Sequence, residues 1–112
     1  MESKTFDKPD ELKTPPKTKI AIVNIGASSV HRGTFEPGWK WSEDVKPTAG
    51  TDACEIHHLM CGISGRLKIS MNDGTEMEMG PGDVVDIPPG HDAWVVGDEP
   101  FVVLDVAGVK IA

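Results

Sequence analysis

From Ile20 onward the apolar positions come in short runs of β-branched residues, broken every few positions by glycine, proline, asparagine or aspartate. That spacing predicts an all-β sandwich or barrel, and no long stretch carries a helical period. The clearest strand is R-L-K-I-S-M, where Leu67, Ile69 and Met71 alternate with Arg66, Lys68 and Ser70, so that one face is apolar. N-D-G follows at once, and Asp73-Gly74 suits a tight hairpin because glycine accepts a positive φ without a Cβ clash. T-E-M-E-M then returns, with Met77 and Met79 on the face opposite Glu76 and Glu78. V-V-D-I, A-W-V-V and F-V-V-L-D-V read as further strands between P-P-G and G-D-E-P corners. The first 19 residues differ. Polar and punctuated by Pro9, Pro15 and Pro16, they predict an irregular arm with at most one helical turn at Pro9-Leu12. The organisation is therefore an arm over 1–19 and a barrel domain over 20–112.

Composition narrows the function classes. At 112 residues the chain makes one domain with a modest core. With 26% charged and 38% hydrophobic residues it is neither disordered nor membrane-spanning, since no apolar run approaches the roughly 20 residues a transmembrane helix needs. Net charge is −7, and basic residues gather only loosely at Lys13, Lys17 and Lys19, which argues against nucleic acid and anionic membranes as partners. The N-terminal stretch has no apolar segment of the secretory kind, so a cytoplasmic location is expected. Cys54 and Cys61 lie seven apart and would point to opposite faces of one strand, which predicts free, buried thiols.

The glycine and proline skeleton resembles the two motifs of the cupin family. Gly82, Pro88 and Gly90 stand at the intervals of the second motif, but its histidine position is Ala93 and its asparagine position Gly97. Laid on the first motif, Gly33 leads to Trp39 and Trp41 where two histidines belong, and counting back from Gly65 puts His58 at the glutamate position. Sixteen residues, S-E-D-V-K-P-T-A-G-T-D-A-C-E-I-H, replace the usual three or four between the second histidine and that glutamate, as a loop insertion ending in its own strand. The chain is similar to small single-domain cupins with W-x-W-S early and I-P-P-G-H-D-A-W-V-V-G late. The resemblance implies a double-stranded β-helix, a jelly-roll barrel often paired as a homodimer, and it places His58, Trp39 and Trp41 inward.

The usual ligands are thus lost, and a rebuilt site is the open question. Strand alternation sets Cys54, Ile56 and His58 on one face, and His91 shares parity with the inward Ala93. Cys54, His58 and His91 would offer one sulfur and two nitrogens, a set suited to zinc, copper, nickel or ferrous iron. The alternative is structural: a core thiol, a hydrogen-bonded interior histidine, and a His91 that steadies its turn. Trp39 and Trp41, two apart in a strand starting at Trp39, would fill the barrel or wall an apolar pocket, each burying about 150 to 250 Å². Trp94 should face outward or into a subunit interface. Asp86 is expected at the solvent face or the mouth, and His57 and Glu55 on the exposed side.

Three functions follow as expectations. The leading one is a barrel that binds a small molecule between Trp39, Trp41 and His58, with His91 near the rim. The second is a metal-dependent dioxygenase or isomerase using Cys54, His58 and His91. The third is a ligand-free dimeric interaction module with a packed interior.

Overall fold

In the computed structural model, which describes residues 1–106, the alternating runs become two antiparallel sheets. The end of the expected domain, 107–112, lies outside the described residues. In chain order the strands are β1 Glu11–Lys13, β2 Thr18–Ile25, β3 Ser28–Phe35, β4 His58–Ser64, β5 Arg66–Met71, β6 Glu76–Met79, β7 Val84–Ile87, β8 His91–Val96 and β9 Phe101–Asp105. One sheet runs β1-β2-β3-β9-β4-β7 and the other β6-β5-β8. Leu67, Ile69, Met79, Ala93 and Val95 of the smaller sheet share one core with Met60, Val85, Ile87, Phe101 and Val103 of the larger. This is the jelly-roll barrel that the strand pattern and the glycine skeleton foretell.

Period-2 alternation holds where it is clearest. On β5, Leu67 and Ile69 are buried, while the outward Arg66 and Lys68 pair with Glu78 and Glu76 of β6. The hairpin turns at Asp73-Gly74, with the Thr75 N–H donating to the Asp73 carboxylate at 2.8 Å and Gly74 at φ +89°. Met79 is wholly buried, whereas Met77 is half exposed because β6 is the edge of its sheet.

The arm departs from expectation. No helical turn forms at Pro9-Leu12; Glu11–Lys13 adds instead to β2, with Leu12 opposite Ala21. Asp10 fixes this register, its N–H donating to Ile22 O at 2.9 Å and its carboxylate accepting from the Asn24 N–H at 2.7 Å. A strand satisfies the backbone groups that an uncovered β2 edge would leave open.

The stretch from Trp39 also departs. Lys40 makes one antiparallel bridge to Trp94, and the chain then turns into two short helices, α1 Trp41–Asp44 and α2 Lys46–Ala49. Polar side chains hold the change of direction: the Asp44 carboxylate accepts from the Lys40 N–H at 2.9 Å, and Asp92 accepts from the Ser42 N–H at 3.1 Å. The insertion then returns to the barrel at Cys54, which makes a single bridge to His91 rather than opening a strand. Alternation therefore fails at Ile56, which is 60% exposed.

Gly65, the closing glycine of the first motif, turns the chain from β4 into β5 at φ +74°. A Cβ there would stand 2.2 Å from the Pro100 carbonyl oxygen, where only backbone could yield. Gly65→Ala is expected to cost at least about 1 kcal/mol, from the left-handed conformation alone. A calorimetric midpoint lowered by at least about 4 °C is the corresponding observation; an unchanged midpoint would show that this corner relaxes freely.

Candidate metal centre and cavity

Three elements bring the site together. β4 opens with His58, β8 opens with His91 just after the Pro88-Pro89-Gly90 corner, and the insertion delivers Cys54 beside them. Cys54 is clamped by backbone bonds on both sides, its N–H donating to His91 O at 2.8 Å and its carbonyl accepting from the Gly90 N–H at 2.8 Å. The insertion thus closes the free edge of β8 and carries a thiol into the barrel in the same stroke.

The donor atoms of Cys54, His58 and His91 all lie within 4.8 Å of one another. Cys54 Sγ is 3.7 Å from His58 Nε2. A tetrahedral ion with sulfur at about 2.3 Å and nitrogen at about 2.0 to 2.1 Å sets such donors about 3.6 Å apart, so this pair already has the required separation. Each imidazole is also held by its other nitrogen. His58 Nδ1 meets Asp105 Oδ2 at 2.6 Å, and His91 Nδ1 donates to Pro88 O at 2.8 Å. In the neutral imidazole both arrangements put the lone pair on Nε2, the pattern by which a partner on the other nitrogen orients histidine ligands and fixes their tautomer.

Charge reinforces this geometry. Burial works against the Cys54 thiolate, but hydrogen bonding from His58, His91 and the Ile56 backbone outweighs it and brings the pKa down to about 6. Burial likewise works against the His58 imidazolium, yet the hydrogen bond and charge of Asp105, with Cys54 beside it, raise its pKa to about 9. Without an ion the three groups therefore form a thiolate, imidazolium and carboxylate chain, the order found in nucleophilic relays. With an ion they supply a ligating thiolate, a ligating imidazole and its orienting carboxylate.

These residues open onto a cavity of about 300 Å³ between the sheets. Phe35, Trp39, Trp41 and Phe101 wall it with aromatic rings, and Phe35 stacks tilted on Trp39 at 4.6 Å between centroids. Both tryptophans are 6% exposed and line the cavity although they do not share a strand. His91, expected near the rim, is 3% exposed and belongs to the interior. Trp94 faces the other way, under the Lys40 ammonium at 5.0 Å. Asp86 lies exposed on the outer face and pairs with the exposed His57, so neither contributes to the site. Both thiols are free, Cys54 buried and Cys61 partly so.

Sequence reasoning passes over Asp105. The signal was present: Phe101, Val103 and Asp105 alternate along β9, so the carboxylate had to follow the two apolar side chains inward. His31, opposite Asp105 on β3, also lines the cavity and carried no motif to mark it.

No protein-family profile matches the chain, and neither does any curated protein. Solved structures do. A protein of unknown function from Rhizobium leguminosarum bv. viciae 3841 superposes with a TM-score of 0.67 at 23% identity, covering 95% of this chain and 94% of that one. Oxalate decarboxylase from Lactobacillus farciminis, in its formate complex, gives 0.63 at 19% identity over 86% of this chain and 30% of its own. A cupin-like protein from Thermotoga maritima gives 0.56 at 18% identity over 80% and 66%. At these identities the likeness establishes the cupin-like fold. No helix among the described residues is long and apolar enough to cross a membrane.

Proposed function

We propose that this is a metal-dependent cupin in which Cys54, His58 and His91 hold one first-row divalent ion, Zn²⁺ or Fe²⁺, at the wall of a cavity that admits a small molecule. The observation that carries this reading is the convergence of three donors whose imidazoles are already fixed from behind by Asp105 and Pro88. A thiolate with two imidazoles suits these borderline ions, and three protein ligands leave a position for water or substrate, as in catalytic rather than structural centres. Bound there, the ion would polarise a ligand oxygen or lower the pKa of a water. The chain's own residues do the rest: Asp105 keeps His58 in the ligating tautomer, and Phe35, Trp39, Trp41 and Phe101 keep bulk water away. The cavity speaks against the packed, ligand-free module, whose interior would be filled.

Elemental analysis of untagged protein should find close to one Zn or Fe per chain. After chelation, returning the ion at about a hundred times its Kd should stabilise the fold by about 2.7 kcal/mol, a rise of about 10 °C in the thermal midpoint. Far less than one ion per chain, together with a midpoint indifferent to added Zn²⁺ and Fe²⁺, would leave the second reading, a metal-free thiol nucleophile. The Cys54, His58 and Asp105 chain favours that reading specifically.

A further inference from the structure

The cavity's lining has a chemical bias that the metal reading leaves unused. Among the described residues not one lysine or arginine lines it, so the wall offers an anionic ligand no basic side chain other than its histidines. Its acidic groups are the Asp105 carboxylate and the Cys54 thiol, which becomes a thiolate on any ion. A divalent cation with one thiolate, one nearby carboxylate and two neutral imidazoles sums to zero, so the loaded site has no net charge to offer an anion. The walls are aromatic and aliphatic, and about 300 Å³ is twice the roughly 150 Å³ of an apolar cavity that holds one benzene. Among the described residues, two polar atoms of the lining are buried without a partner: the Trp39 indole N–H, a donor, and Asp105 Oδ1, an acceptor. Unpaired buried groups of this kind are rare in folded proteins and mark where a partner belongs.

We infer that the ligand is a compact, uncharged molecule of one or two rings, or an aliphatic of that size, carrying a single neutral polar group such as a hydroxyl. This inference rests on the metal reading for the charge of the site, and on the cavity alone for its size and apolarity. Phosphorylated sugars and small carboxylic acids would have only the ion's open position as a partner in these walls, where burying an otherwise unpaired anion is heavily disfavoured. The hydroxyl can both donate and accept, which suits a lining that leaves one donor and one acceptor open.

Titration calorimetry with 2-naphthol and 2-naphthoate, on protein whose metal content has been measured, tests this. Naphthol should bind at least about tenfold more tightly than naphthoate at pH 7. Trp39→Phe, which keeps one aromatic ring but removes the pyrrole ring and its N–H, should weaken naphthol by about three- to tenfold while the protein still melts cooperatively. Naphthoate binding as tightly as naphthol, or naphthol failing to bind the wild-type protein, overturns the proposal. Selectivity for naphthol that survives on protein containing no ion removes the metal centre and keeps the ligand class. Metal-bearing protein that prefers naphthoate does the reverse.

Discussion

Cys54→Ser protein is expected to bind Zn²⁺ at least about a hundredfold more weakly than wild type, with the barrel intact by circular dichroism. The floor for this figure comes from outer-sphere changes, which already cost about 10- to 100-fold in metal affinity. Losing a ligand removes more, because a serine hydroxyl is a poor donor at neutral pH whereas Cys54 ionises near 6. His91→Ala should fall by a similar factor, since it deletes a nitrogen aimed into the same cluster. Asp105→Asn should fall between, by about 10- to 100-fold, because it leaves all three ligands but replaces the carboxylate that His58 Nδ1 meets at 2.6 Å. His57→Ala supplies the contrast: exposed and paired with Asp86 on the outer face, it should leave Zn²⁺ affinity unchanged. Competition against a chromogenic chelator reads all four. If Cys54→Ser and wild type hold zinc equally, the ion sits elsewhere and the centre proposed here does not exist.

That series also marks how far the site was legible in the chain. Strand alternation and the spacing of Gly82, Pro88 and Gly90 sufficed for the barrel, because those signals are local: a period of two, and corners where only glycine or proline fits. Gly90, at φ +93°, sets the turn from which His91 enters the interior, so parity with Ala93 survived the corner. The parts that resisted are non-local. Trp39 and Trp41 reach one cavity through a bridge and a helical turn, and one of the groups that hold this turn, Asp92, is 50 residues from the amide it accepts from. Cys54 meets His58 because the insertion is pinned to His91, a contact across 37 positions that no periodicity encodes. Asp105 is the instructive omission. A lone carboxylate in F-V-V-L-D-V reads as a strand end, yet its parity with Phe101 and Val103 turns it toward His58, 47 residues away.

In the metal-free protein, alkylation of Cys54 by iodoacetamide should follow a titration with its midpoint near pH 6, levelling off above pH 7 instead of climbing toward 9. The sign follows from the depressed pKa: the thiolate is the reactive form, it persists above 6, and it is lost as pH falls through 6. At pH 6 about half of Cys54 is thiolate, against about one part in a thousand for a thiol that ionises at 9.0, a gain of about 500-fold. A more acidic thiol is also a weaker nucleophile, and three units at a Brønsted slope of about 0.45 give back about 20-fold. The net acceleration is therefore about 25-fold at pH 6 and only several-fold at pH 7, so the midpoint is the sharper signature. Mass spectrometry of the peptides separates Cys54 from Cys61. His58→Gln should move the Cys54 midpoint upward, because hydrogen bonding from His58 opposes the cost of burying the thiolate. A Cys54 midpoint near 9 in the wild type would dissolve the thiolate and imidazolium pair. Saturating Zn²⁺ should suppress the reaction at Cys54, since a ligating sulfur no longer presents its lone pair to the reagent. Unchanged alkylation under zinc, with the midpoint still near 6, would instead make the same three residues a nucleophilic relay whose working form carries no ion.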